Sequence, residues 1–179
     1  RSNHVGYDDL VQAATGIMAR FGGSINTPEE HAHLGTIDVL TGFAGAFAVA
    51  TALYKHRKTG RPDVARTSLA AAGQMLQSPF TYDYETRPPF NEPSGRHIKG
   101  YGPLYRCYQA LDGWFFLATL DESQQRLAKI AELKGCANML PDELEKFLVE
   151  QFQKNKVAYW VEALVKIDIG AIELGAMAK

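Results

Sequence analysis

Apolar residues recur at helical spacing near the start of the chain, where Leu10, Val11, Ala14, Ile17, Met18 and Phe21 fall on one face. Asp8 and Asp9 stand before this run and Gly22-Gly23 after it, so acid meets the positive end of a helix and glycine stops it. The pattern predicts one helix. A second helix is predicted over residues 39–58, rich in Ala and Gly, with Phe43, Phe47, Val49 and Leu53 embedded. Lys55, His56, Arg57 and Lys58 close it at the end where the macrodipole favours cations. Gly60 and Pro62 break the pattern, and a third helix is predicted over 66–77, ahead of Pro79.

From residue 78 to 103 the periodicity disappears. Pro79, Pro88, Pro89, Pro93 and Pro103 are interspersed with Gly95, Gly100 and Gly102, which reads as a long ordered loop or a crossover between lobes. Two aromatic-rich runs follow, 104–109 and 114–119, separated by Ala110-Leu111-Asp112-Gly113; the pair predicts a β-hairpin. Helices are predicted again over 122–133, 142–153 and 157–166. Each carries an apolar stripe, for example Leu144, Phe147, Leu148 and Phe152. Residues 167–179 are small and apolar without a stop signal, as if packed against a neighbour.

Composition narrows the function. A chain of 179 residues suits one compact core with a small lobe. With 19 basic and 20 acidic side chains its net charge is −1, which does not supply the field that nucleic acids or anionic membranes require. The weakly polar stretch 34–54 contains Asp38, several Thr and several Gly, and reads as a buried helix rather than a membrane span. The chain opens on Arg1 without a secretory signal, which reads as a fragment or subunit. Two cysteines, Cys107 and Cys136, make neither a disulfide scaffold nor a four-cysteine zinc site, so a reducing cytoplasm is the expected compartment.

Candidate chemistry is sparse. His31 and His33 are two apart, on opposite sides of any helix, and with Glu29 and Glu30 they complete no metal spacing; no metal is expected. No Gly-x-Ser-x-Gly elbow occurs, and Cys107, between Arg106 and Tyr108 in a predicted strand, reads as a buried structural thiol. Gly100-Tyr101-Gly102 reads as a short glycine loop entering the hairpin, serving either the backbone or a ligand. Asp38 is the stronger oddity: an isolated carboxylate where a long apolar helix begins. Its local reading is a helix N-cap, with catalysis as the alternative.

A series of segments, taken in order, carries a resemblance. Val5-Gly6-Tyr7-Asp8 is followed by Gln12-Ala13-Ala14-Thr15-Gly16, Ile37-Asp38-Val39-Leu40-Thr41-Gly42 and His56-Arg57-Lys58-Thr59-Gly60-Arg61. Tyr105-Arg106-Cys107 and Asp112-Gly113-Trp114 complete it. Together they resemble the family III CoA-transferases, or CaiB/BaiF family, which includes formyl-CoA transferase, carnitine-pathway CoA-transferases and alpha-methylacyl-CoA racemase. The resemblance spans roughly residues 5–133, more faintly to 169, and less than half of a usual family chain.

The resemblance implies an α/β fold: a fragment of the family's interlocked-dimer architecture, with residues 1–80 in the large domain and 81–179 forming the crossover and a small domain of hairpin and helices. The amino-terminal part, which in the family supplies much of the CoA pocket, has no counterpart in this sequence. Asp38 is then the nucleophile, and a carboxylate needs no general base to activate it. Tyr7 and the Gly100, Tyr101, Gly102 segment are the implied substrate and CoA contacts, the latter as a lid. Coenzyme A enters as substrate with no tightly bound cofactor. The implied partners are an acyl-CoA, a carboxylic acid and a second interlocked copy. Where the racemase has a catalytic histidine this chain has Tyr7, and tyrosine is a poor base near neutrality, so α-proton transfer by a racemase or isomerase is the alternative enzyme reading. Asp121 falls where the racemase has another acid, and a helix cap explains it equally well. The non-enzyme alternative is a structural fragment, inactive without its amino-terminal part.

Overall fold

The computed structural model describes residues 5–29, 35–87 and 93–175. The chain divides into two compact units, Arg1–Arg96 and His97–Lys179. The expectations for His31, His33, Pro88 and Pro89 lie outside the described residues.

The first unit is helical. Where the sequence pattern predicts one helix, two are found: α1 (Asp8–Thr15) and α2 (Ile17–Gly22). Gly16, at φ 84°, separates them, and a left-handed residue cannot continue the right-handed turn. The apolar face continues across the break, so periodicity does not reveal it. Gln77 Nε2 donates to the Thr15 carbonyl at 3.0 Å, satisfying the end of α1. α3 (Thr36–Thr59) begins earlier than its apolar run, and α4 (Leu69–Leu76) later, at Ser68, whose Oγ accepts the Ala71 N–H at 3.1 Å. A one-turn α5 (Ser78–Thr81) follows, inside the segment expected to be loop.

Ile17, Ile37 and Ala72 form the buried centre of this unit, flanked by Val11, Leu40 and Leu69. Gly73 allows the close approach of α4 to its neighbours. A Cβ there would lie 3.1 Å from Thr15 Cγ2 and from Val11 Cγ1. α1 and α4 cover part of α3, but the rest is open: Phe43 is 71% and Phe47 76% exposed. The expectation of a buried helix therefore fails within this chain. α3 is apolar on all sides, and two short helices cannot cover a helix of 24 residues. By length and composition alone α3 could also cross a membrane.

The second unit is a four-stranded antiparallel sheet backed by helices. Its strands are β1 (Gly100–Gly102), β2 (Tyr105–Gln109), β3 (Trp114–Ala118) and β4 (Gly170–Glu173), hydrogen-bonded in that order. The predicted hairpin is β2–β3, with Gln109 opposite Trp114, Tyr105 opposite Ala118, and the Ala110 N–H on the Gly113 carbonyl at 2.8 Å. Two parts of the sequence reading change here. Gly100–Gly102 is an edge strand rather than a loop, and residues 170–173, for which the pattern predicts no element, pair with β3. Nothing local marks Gly-Ala-Ile-Glu as a strand; the β3 edge supplies the preference.

Behind the sheet, a 3-10 turn (Asp121–Ser123), the one-turn α6 (Gln124–Leu127) and a second 3-10 segment (Ala131–Cys136) replace the predicted 122–133 helix. Ile130, at φ −79° and ψ 130°, is extended and interrupts it. α7 (Pro141–Phe152) and α8 (Val157–Lys166) match their stripes closely. Phe152 is the hub of the core, its ring edge-on to Tyr108, Phe115 and Trp160 at 4.9, 5.0 and 5.0 Å between centroids. The buried polar tips are satisfied: Trp160 Nε1 donates to the Phe152 carbonyl and the Tyr108 hydroxyl to the Pro103 carbonyl, both at 2.7 Å. Asp112 Oδ1 accepts the Val157 N–H at 2.8 Å and caps α8.

Candidate active site

Asp38 sits in the first turn of α3, as its third residue, with an exposed side chain. The local N-cap reading is corrected: Gly35 holds the cap position, at φ 49° and ψ 42°, and its carbonyl accepts the first intrahelical bond, from Val39 N–H, at 2.9 Å. Glycine suits this position because a left-handed backbone strains any residue with a Cβ. A Cβ on Gly35 would lie 3.7 Å from Asp38 Cβ, 3.9 Å from Asp8 Oδ2 and 4.0 Å from Asp38 Oδ2. The bare Cα thus lies beside two carboxyl groups.

The side-chain acceptor at the start of α3 comes from another helix. Asp8, the first residue of α1, is only 6% exposed, and its Oδ2 accepts the backbone N–H of Asp38 at 2.8 Å. Its Oδ1 accepts from Gln12 Nε2, one turn along α1, and Gln12 is 1% exposed. A single carboxyl group therefore lies at the N-terminal ends of both α1 and α3, where both macrodipoles present their positive ends. Ile37, fully buried beside Asp38, anchors the same turn, and Thr41 Oγ1 returns a hydrogen bond to the Ile37 carbonyl at 2.7 Å.

Tyr7 precedes α1 in extended conformation and makes no side-chain cap; its ring is 63% exposed. It is thus adjacent in sequence to the Asp8 link, which ties the start of α1 to the start of α3. Gly100, Tyr101 and Gly102 belong to the other unit, where Gly100 pairs with Arg106 and Gly102 with Tyr105, with a register irregularity between them. Asp121 opens a 3-10 turn and caps no helix through its side chain. Cys107 is half-buried rather than buried, while Cys136 lies in the core, where burial raises its thiol above the ordinary range.

Asp8 and Gln12 stand in family-like segments of the sequence, but sequence reasoning missed their link to the start of α3. Their spacing is the available signal: two polar side chains at i and i+4 share a helix face. Of the clefts in this unit, one of about 320 Å³ is lined by Val49, Ala52, Leu53, His56 and the turn Pro62–Asp63. It begins eleven residues beyond Asp38, about 16 Å along the helix at ~1.5 Å per residue, so it is separate from the Asp38 turn. Lys55 Nζ meets Asp63 Oδ2 beside it at 2.6 Å, which holds the Asp63 carboxyl below its usual range. Among the described residues no group of three or more His, Cys, Asp or Glu is placed to hold a metal ion.

Comparison with known proteins identifies the family and the fold. The CoA-transferase/lyase DddD of Marinomonas sp. (strain MWYL1) is 45% identical over 174 residues, 97% of this chain and 20% of that protein. A crystal structure of the hypothetical protein Rv3272 from Mycobacterium tuberculosis matches with a TM-score of 0.74 at 16% identity, covering 97% of this chain and 49% of that one. A CaiB/BaiF family protein from Brucella suis matches with a TM-score of 0.66 at 19% identity, covering 99% and 49%. The chain thus spans one fifth of the curated relative and about half of the solved structures, and its mixed α/β fold is a fragment of theirs. A family profile described as CoA-transferase family III matches residues 1–179, and the chain belongs to that family.

Proposed function

We propose that the protein carrying this chain moves coenzyme A from an acyl-CoA to a carboxylic acid, with Asp38 as the covalent nucleophile. The observation that carries the reading is the placement of Asp38: an exposed carboxylate on a turn held from behind by the Asp8–Gln12 pair, in a chain of this family. Attack by an Asp38 carboxylate oxygen on the acyl carbonyl forms a C–O bond. The C–S bond breaks with its electron pair going to sulfur, leaving a mixed anhydride and CoA thiolate. The thiolate then attacks the aspartyl carbonyl of the anhydride, giving an aspartyl-CoA thioester and releasing the donor acid. An acceptor carboxylate attacks that thioester, re-forming an anhydride and thiolate. Thiolate attack on the acceptor's acyl carbonyl yields the new acyl-CoA and restores Asp38.

Each tetrahedral step develops negative charge on oxygen. The Thr36 N–H at the start of α3 has no hydrogen-bond partner among the described residues and is the donor we assign to that charge. Tyr7 and the Gly100–Gly102 strand are assigned to contact substrate and coenzyme A. The same reading takes the remaining half of the fold, in an interlocked homodimer, as what excludes water from Asp38 and protects the anhydride. The test is exchange of labelled carboxylic acid into acyl-CoA by the full-length enzyme. Asp38→Asn is expected to slow exchange by about a thousandfold or more. Exchange at an unchanged rate in that variant contradicts the proposal.

A further inference from the structure

We propose that Asp8 is a positioning residue for Asp38: it occupies the Asp38 backbone N–H so that the Asp38 side chain stays turned outward for attack, and Gln12 fixes Asp8 in that role. This inference rests on the nucleophile reading given above. The geometry that supports it is the 2.8 Å bond from Asp38 N–H to Asp8 Oδ2, made across thirty residues of sequence by a carboxyl group buried with its Gln12 partner.

The physical argument concerns what a carboxylate in the first turn of a helix does when left alone. The first N–H groups of a helix lack intrahelical acceptors, and an acidic side chain at the third position commonly reaches back to the N-cap, as in a capping box. Such an interaction would direct the Asp38 carboxylate into its own helix end and engage the lone pairs that must attack. A carboxylate supplied by α1 removes part of that demand, because it satisfies one N–H and places its own charge at the positive end of α3. It needs two acceptor oxygens, one for Asp38 N–H and one for Gln12 Nε2, and an aspartate carboxyl group supplies both. Gly35, at φ 49°, gives the chain the left-handed turn into α3 beside both carboxyl groups.

The test uses the full-length enzyme and whichever of acetyl-, propionyl- and butyryl-CoA acylates the parent fastest. Hydroxylamine quenching and peptide mapping then measure the single-turnover rate at which Asp38 is modified. Asp8→Ala is expected to slow acylation by about tenfold to a hundredfold, while KM for the acyl-CoA stays within about twofold. Asp8→Asn keeps an acceptor for Asp38 N–H, and a turned Gln12 amide can accept from its Nδ2, so it is expected to acylate within about fivefold of the parent. When Asp8→Asn is combined with Gln12→Glu, the introduced amide can accept from Asp38 N–H and donate to the introduced carboxylate. This double variant is likewise expected to keep acylation within about fivefold of the parent. A merely structural role would move the thermal midpoint without this pattern of loss and rescue.

A folded Asp8→Ala enzyme that acylates Asp38 at the parent rate overturns the inference alone. So does a folded Asp8→Asn enzyme, or the double variant, slowed more than tenfold, which remains informative if Asp8→Ala does not fold. Absence of Asp38 modification in the parent with all three acyl-CoAs overturns the nucleophile reading, and the inference with it.

Discussion

Gly35 is where backbone conformation and chemistry meet most closely. Its left-handed conformation lets the chain enter α3 at an angle that puts Asp38 N–H on Asp8. Gly35→Ala is expected to destabilise the intact enzyme by about 1–2 kcal/mol through the positive φ alone. It is also expected to slow Asp38 acylation, and both effects can be read by thermal unfolding and by single-turnover trapping. Asp38 itself is legible in the sequence through the order of motifs around it, although the local pattern misplaces it at the cap. Asp8 is legible as acid favouring the start of α1 and as part of the first family-like segment. Its second role depends on a partner thirty residues away, and no spacing rule connects α1 to α3.

At the scale of elements, legibility follows how local the determining interactions are. The hairpin, α7 and α8 announce themselves because their apolar periodicity and turn residues lie within the segments that form. The split at Gly16, the 3-10 segments around α6 and strand β4 depend on one backbone angle or on a partner strand, and periodicity does not register either. The aromatic hub makes a measurable prediction. Burial pushes the Tyr108 phenol far above the ordinary tyrosine range, the nearby Arg106 opposing the shift and Glu145 adding to it. Its pKa is raised in the folded state, so its contribution to stability is present in full below the ordinary value of about 10 and lost as pH rises beyond it. Cys136, also raised by burial, adds a loss of the same sign. Tyr108→Phe is therefore expected to flatten, without abolishing, the alkaline fall in stability. An unchanged alkaline limb in urea unfolding of the intact enzyme, measured from about pH 9 to 11, contradicts this.

For the molecule as a whole, the feature to explain is α3. Val39, Phe43, Phe47, Val49 and Leu53 are all exposed on a helix whose composition marks it for burial. The apolar character of this helix is legible in the sequence, while its surroundings are not, because periodicity does not say which elements cover a face. The solved structures it matches are about twice its length. The chain expressed by itself is expected to self-associate and bind an apolar dye, with Phe43→Glu and Phe47→Glu together reducing both, as read by light scattering and fluorescence. In the full-length enzyme the same pair is expected to cost about 3–5 kcal/mol in stability if α3 is interior there. No loss in the full-length protein would place this face in solvent in the whole protein as well.

The account depends most directly on a covalent bond to Asp38. Full-length enzyme incubated with an acyl-CoA it turns over, quenched with hydroxylamine and digested, is predicted to yield a hydroxamate on the peptide that contains Asp38. The modification is predicted to disappear, along with turnover, in Asp38→Ala. An unmodified Asp38 peptide during turnover, together with undiminished activity in Asp38→Ala, would contradict the account.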